Sequence, residues 1–331
     1  MSHIYAKLNC YFFLLLLGTS LTAQVKGINQ SEILKNLKNN TKYLSSDKLE
    51  GRGAGSNGIK LAVAYISKEF GRIGLHSMAD GTYIQQFSNP EREGVESNII
   101  GFIPAATATA ESIVFTAHYD GYGIISIGND MESIYNGARD NAVGVAALIE
   151  LAGMYANESA PQRNIVFVAT AAEELGQYGS IYYTENPIFK VDEIVMCLNI
   201  DGFNVSGKRI NFFVMPRQGV DFVDDMVLLA QRLGWIYDPP DWVDSMNTNF
   251  DTSSFLKRGI PAMTIWVGDR LINGDMAPRF NFGDIHSPLD QINEDWNWSG
   301  VMDHLELYKK TGDYFIRYKG EPRVKNPELF E

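Results

Sequence analysis

Three short apolar runs each end in groups that bind metals or move protons. Ser112 to Ala117 runs into His118-Tyr119-Asp120. Asn164 to Ala169 leads through Thr170-Ala171-Ala172 to Glu173-Glu174, and Ile194 to Ile200 stops at Asp201. Asp140 opens the helical pattern between the first two runs, and His286 follows far downstream in Gly283-Asp284-Ile285-His286-Ser287-Pro288. Imidazole nitrogen and carboxylate oxygen are donors zinc favours. A ligating histidine usually has its second nitrogen oriented by a carboxylate, a part that Asp120 can play for His118. Taken singly, each residue has an ordinary explanation. His-x-Asp is commonly a surface turn, Asp140 a helix N-cap, adjacent glutamates a solvated face, Asp201-Gly202 a turn, and His286 a loop residue. Their joint placement at strand ends points elsewhere, because several carboxylates in one crevice repel unless cations neutralise them. Two zinc ions would do so, and a metal pair sharing one carboxylate can activate water for hydrolysis. Neighbouring side chains diverge, so one glutamate can hold metal while the other serves as general base.

The elements that must position these groups follow from the hydrophobic period. Residues 24–56 read as a lead-in helix (Ile33, Leu34, Leu37, Leu44) and then a turn-rich loop. A helix is expected from Asn57 to Ile73, with Leu61, Tyr65, Phe70 and Ile73 inward and Gly74 as its stop. Ser97 to Ile103 and the three runs above read as strands. So do Arg209 to Met215, with a more alternating pattern, and Ile260 to Val267. Helices are expected at Asn141 to Tyr155, near Ser180, at Val220 to Leu233 and at Trp298 to Tyr318. Asp120 to Asp140 reads as a long glycine-bearing loop, and the tail from Lys319 as polar and loose. Buried strands separated by helices predict an α/β fold, a sheet with helices on both faces, in a single catalytic domain over 24–331.

The chain has 331 residues, 45% of them hydrophobic, and a net charge of −12. A core of good size can form, and an acidic surface excludes nucleic acid as the partner. Residues 1–23 read as a signal peptide: Lys7, the apolar run Tyr11 to Leu17, then small residues up to a cut near Ala23. The mature protein is then exported, periplasmic or extracellular, with no membrane insertion. Cys197 is its single cysteine, so no internal disulfide forms, and it reads as a core strand residue. The oligomeric state is left open.

Several motifs occur together in one order: Leu44 to Arg52, Ala117 to Asp120, Tyr135 to Val145, Glu173 to Ser180, Asn199 to Asp201, Gly259 to Ala262 and His286 to Asp290. In these the chain resembles the aminopeptidase Y and bacterial leucyl aminopeptidase family of co-catalytic zinc peptidases, from about Leu44 to Phe315. The resemblance implies a three-layer α/β/α sandwich with a mixed, mostly parallel central sheet. It implies two zinc ions, the first held by His118 and Asp201, the second by Glu174 and His286, with Asp140 shared. Glu173 would be the general base and Asp120 the support of His118. A cis peptide at Asp140-Asn141 and a peptide substrate with a free α-amino group are implied as well.

Two departures qualify the substrate. The family's substrate loop often reads Ser-Asp-His before an aromatic residue, whereas this chain has Phe250-Asp251-Thr252-Ser253-Ser254-Phe255. The aspartate is kept and its flanks differ. Arg139 stands where an acid or small residue is common. It fits a rim salt bridge, or a contact to a substrate carboxylate in a carboxypeptidase or dipeptidase. Three alternatives to an aminopeptidase therefore stand: that carboxypeptidase or dipeptidase, a glutaminyl cyclase with one zinc, and a non-catalytic binding module on the same scaffold. Gly144 and Leu175-Gly176 speak against the cyclase, and the complete ligand set speaks against the binding module.

Overall fold

The computed structural model describes residues 29–90, 92–126, 132–277 and 284–330. The proposed cut near Ala23 lies outside the described residues. The central sheet has eight strands: β1 (Ile84–Ser88), β2 (Val95–Ile103), β3 (Ser112–His118), β6 (Asn164–Thr170), β7 (Ile194–Asn199), β8 (Asn211–Met215), β9 (Ile236–Tyr237) and β10 (Ala262–Val267). Two further strands, β4 (Gly123–Ser126) and β5 (Glu132–Tyr135), pair as a separate hairpin. The spatial order is β1-β2-β6-β3-β7-β10-β8-β9. β6, β3, β7 and β10 are mutually parallel, while β1, β2 and β8 join antiparallel. The sheet is thus mixed with a parallel centre, as anticipated.

Every residue of β3 and of β6 is buried. Strands wetted on neither face need continuous apolar sequence rather than alternation, which Ile113-Val114-Phe115 and Ile165-Val166-Phe167-Val168 supply. β8 is likewise buried throughout, so the alternation expected for it is absent. Among the described residues, seven α-helices surround the sheet: α1 (Gln30–Leu44), α2 (Asn57–Ile73), α3 (Val143–Ala156), α4 (Tyr178–Glu185), α5 (Val223–Leu233), α6 (Thr252–Lys257) and α7 (Trp298–Arg317). α3 and α7 pack on β3, where Phe115 stacks on Phe167 (5.5 Å) beneath Tyr155 of α3. α4 and α6 pack on each other and against β2, β7 and β10. The result is the expected three-layer sandwich.

Some local expectations need correcting. α2 has its predicted ends, and Gly74 closes it in the left-handed conformation. Its inward face, however, is Ile59, Ala62, Ile66 and Phe70, with Leu61, Tyr65 and Ile73 only half-buried. Both sets are spaced helically, and tertiary docking selects between them. The stretch from Asp120 to Asp140 is not simply a loop, because it contains the β4–β5 hairpin. The tail beyond α7 packs back: Val324 bridges Val220, and Phe330 is fully buried. One aromatic anchor holds an otherwise polar segment. No helix among the described residues is long and apolar enough to cross a membrane.

Candidate metal centre

Parallel strands bring their carboxyl ends to one edge of the sheet, where ligands collect in open α/β folds. His118 is the last residue of β3 and pairs in register with Thr170, the last of β6. Beyond Thr170 the chain turns through Ala172, at φ 55°, and delivers Glu173 and Glu174 to the same edge. Asp201 follows β7. Asp140 reaches this edge from the turn before α3, and His286 from the loop preceding α7. All five expected ligands and Glu173 therefore converge.

The geometry centres on Asp140. Its Oδ1 lies 3.1 Å from His118 Nε2 and its Oδ2 lies 2.8 Å from His286 Nε2. One carboxylate thus faces two imidazoles, one with each oxygen. His118 Nε2 also lies 3.7 Å from Asp201 Oδ1, and His286 Nε2 lies 3.5 Å from Glu174 Oε2. Three groups of donors each fall within 4.8 Å: His118, Asp140 and Asp201; His118, Glu173 and Glu174; Asp140, Glu174 and His286. Asp120 Oδ1 is 3.8 Å from His118 Nδ1. Its two oxygens accept the backbone N–H groups of Glu173 (3.1 Å) and Glu174 (3.2 Å). Asp120 therefore fixes the glutamate turn as well as standing behind His118.

Charge is concentrated here. Burial, together with Asp201, Asp251 and Glu174, pushes the Glu173 carboxyl well above its usual range. Burial and then Asp140 push Glu174 up to about 8. Burial raises Asp201 despite His118. Asp140 goes the other way: burial opposes its charge, but hydrogen bonds from both imidazoles outweigh it. His118 is fully buried, which disfavours its proton, yet Asp201 and Asp140 raise it well above the ordinary value. The surrounding acids favour the charged form of both imidazoles. Zinc fits this donor set on two observations. Nitrogen and oxygen donors sit in two triads sharing Asp140, and Glu174 Oε1 is buried with no hydrogen-bond partner.

Residues outside the expected ligand set hold the site in shape. Asp290 accepts the backbone N–H groups of Arg139 (2.8 Å) and Asp140 (3.0 Å), which places Asp140 by its main chain rather than as an N-cap. The Asp140-Asn141 peptide is cis, as the resemblance implied. Asn141 Nδ2 donates to the Ile200 carbonyl (2.8 Å), joining this turn to the strand that carries Asp201. Gly144 is required there, since a Cβ would come within 2.0 Å of Asn141 Oδ1. Asp251 is buried beneath Glu173, accepts a 2.5 Å bond from Thr170 Oγ1, and is pushed up to about 6 by burial. Burial also raises the Cys197 thiol, and this residue lies in the core and not at the site.

A cavity of about 1360 Å³ opens over the centre. Asp140, Glu173, Glu174, Asp201 and His286 line it together with Arg139. An aromatic wall faces it: Trp242 and Trp266 lie 6.0 Å apart, with Phe213 and Phe250 against them. Trp266 Nε1 donates to the Asp201 carbonyl (2.7 Å), so this wall is tied to the centre.

Comparison with known proteins agrees with this geometry. A vacuolar membrane protease of Candida dubliniensis is 28% identical over 116 residues, 35% of this chain and 11% of that protein. A probable zinc metalloprotease of Leptosphaeria maculans is 26% identical over 223 residues, 64% of this chain and 51% of that protein. The chain thus spans at most about half the length of these relatives. The fold is that of a leucine aminopeptidase precursor from Bacteroides thetaiotaomicron, with TM-score 0.61 and 17% identity over 88% of this chain and 98% of that one. It is also that of the glutaminyl cyclase from the same organism, with TM-score 0.58 and 17% identity over the same shares. The model of peptidase family M28 matches residues 98–310, a span holding every expected ligand. On that match, which takes in well over half of its length, the chain belongs to peptidase family M28.

Proposed function

We propose that this M28 peptidase is an exported aminopeptidase that removes N-terminal residues from peptides with two zinc ions. The observation that carries the reading is Asp140 presenting one oxygen to each of two imidazoles, with Glu173 beside it in an open cavity. His118, Asp140 and Asp201 would hold one zinc, and Asp140, Glu174 and His286 the other. Bound zinc supplies Lewis-acid chemistry, polarising a carbonyl and making water acidic near neutral pH. The chain's own residues do the rest. Glu173, lining the cavity beside the ligand set, takes a proton from water as the water oxygen attacks the scissile carbonyl carbon. It then passes that proton to the leaving amine nitrogen. The carboxylates lining the cavity favour a substrate α-ammonium. The aromatic wall excludes water from one side and meets an apolar side chain.

Glu173→Gln is expected to lower kcat at least a hundredfold while zinc content, measured by atomic emission, is unchanged. Substantial remaining activity would remove Glu173 from this role. Arg139 favours a second reading. It lines the cavity next to Asp140, and burial lowers its pKa to about 10, which leaves it cationic at neutral pH. A guanidinium there can meet a substrate carboxylate, as a dipeptidase requires. Aminoacyl amides, N-blocked peptides and free dipeptides, each assayed with and without chelator, separate the readings. An aminopeptidase cleaves the amides. A dipeptidase needs the free carboxylate. A Gln-initiated peptide adds the cyclase arm, in which ammonia is released in place of free glutamine.

A further inference from the structure

Tyr122 touches the centre without belonging to any of its motifs. It sits just before β4, at the root of the hairpin, with its side chain 40% exposed at the mouth of the site. Its hydroxyl oxygen lies 3.2 Å from His286 Nδ1, and the two rings lie 4.6 Å apart at 46°. Tyr135 lies on its far side (6.2 Å between rings), and it shares a cleft with Glu174; burial and then Glu174 raise the phenol above its usual range. The hydroxyl therefore stands beside two residues of one proposed ligand triad.

The bonding rules fix which group donates. His286 Nε2 is the nitrogen that faces Asp140 and Glu174. For that nitrogen to offer a lone pair to a metal, the imidazole hydrogen must be on Nδ1. Nδ1–H then donates to the Tyr122 oxygen, and the phenol's own hydrogen is turned away from His286, toward the Glu174 side. A phenol can do both because its oxygen accepts while its O–H donates. Among the described residues, the Tyr122 hydroxyl is the group that faces His286 Nδ1 and can hold that tautomer and ring angle. His286 needs such support more than His118 does. Its side chain is 46% exposed, against 1% for His118, which Asp120 backs inside the core.

We infer that Tyr122 is a positioning residue for the His286–Glu174 metal site, holding His286 in the tautomer that leaves Nε2 open for zinc. The inference rests on the two-zinc reading above and assigns a role to a residue outside it. The hairpin root that carries Tyr122 is rigidly seated. Gly53 bridges Gly121, and a Cβ on Gly53 would come within 2.8 Å of Gly123 Cα.

The test is zinc affinity, read without turnover. Metal-free wild type and Tyr122→Phe are titrated with zinc against a chromophoric chelator, and thermal midpoints of both metal-free proteins are compared. Tyr122→Phe keeps the ring and removes the oxygen. One of the two zinc sites is expected to weaken about tenfold or more while the other is unchanged, with equal metal-free midpoints. Tyr122→His, which offers a ring nitrogen as acceptor, is expected to recover part of the loss. Equal affinity at both sites in Tyr122→Phe would overturn the inference. So would an equal loss at both sites with a lowered midpoint, because that is a structural effect. A wild type that takes up no zinc would instead overturn the two-zinc reading itself, an outcome visible before any variant is made.

Discussion

Glu150 lies in α3 with its side chain turned toward Asn36 of α1, 3.4 Å away and only 6% exposed as a residue. Burial pushes its carboxyl up to about 7, and the Asn36 amide opposes this only in part. The unfolded chain releases that proton near pH 4.5, so between about 4.5 and 7 the folded state binds more protons than the unfolded one. Stability from this group is full below the unfolded pKa and is lost as pH rises through the folded value. Glu150→Gln should therefore stabilise the protein at pH 8, by roughly 2 kcal/mol, and change little at pH 4.5. Chemical denaturation at the two pH values checks the sign. An equal effect at both would show that Glu150 is not the titrating group. At this scale the donors of the centre were legible from residue type and position at the ends of apolar runs. Tyr122 was not, since a phenol beside an imidazole carries no local signature, and Asp290 was legible as the end of the His286 to Asp290 motif but not as the acceptor of two main-chain N–H groups.

Arg52 joins three segments. Fully buried, it donates from Nε to the Tyr119 carbonyl (2.7 Å), from Nη1 to the Leu44 and Asn136 carbonyls, and from Nη2 to the Gly137 carbonyl (3.0 Å). The end of α1 is thus bound to the residues flanking both His118 and Asp140. Gly51 next to it, at φ 63°, has no room for a side chain: a Cβ would meet the Tyr135 carbonyl oxygen at 2.5 Å. Arg52→Met removes a donor from four buried carbonyls, of which only that of Gly137 keeps another, the Ala142 N–H, and is expected to cost about 3 kcal/mol or more in equilibrium unfolding. Arg52→Lys should recover only part, because an ammonium cannot reproduce the planar fork. A loss below 1 kcal/mol would show that water replaces the guanidinium. Ser45 to Ser56 reads as a turn-rich loop, whereas Asp47–Arg52 forms a short 3-10 helix broken at Glu50 and Gly51, and turn-forming residues do not announce a buried cation. The other elements missed have similar causes. β1 is Ile-Gln-Gln-Phe-Ser, an edge strand with few apolar residues, and β4 and β5 are four residues each. Their pairing partners rather than their composition make them strands. The parallel core strands needed no such help, since burial on both sides demands unbroken apolar sequence.

For the molecule as a whole, the acidic edge of the sheet links stability to metal. Without a cation Glu173, Glu174 and Asp201 all titrate above their unfolded values. Raised carboxyl pKa values mean that the metal-free fold loses stability as pH climbs from about 4.5 through 8, the value for Glu174. Zinc would compensate the charge and remove that slope, and it binds more tightly once the histidines are deprotonated. The gap in thermal midpoint between zinc-loaded and chelator-treated protein should therefore be wider at pH 8.5 than at pH 5.5. A gap that is constant, or narrower at high pH, would argue against metal neutralisation of this cluster.

The order of the strands also sets a schedule. β10 is the last strand among the described residues, yet it lies between β7 and β8, near the middle of the sheet. His286, which completes the second donor triad, comes later still. A ribosome adds residues one at a time, at about 5–20 per second, and segments fold as partners become available. A nascent chain reaching Asp201 already carries His118, Asp140 and both glutamates, but lacks the wedge strand and the outer imidazole. The proposed metal centre is therefore incomplete until translation has passed His286. A chain cut short before His286 is expected to lack one donor of the second triad however well its strands pair.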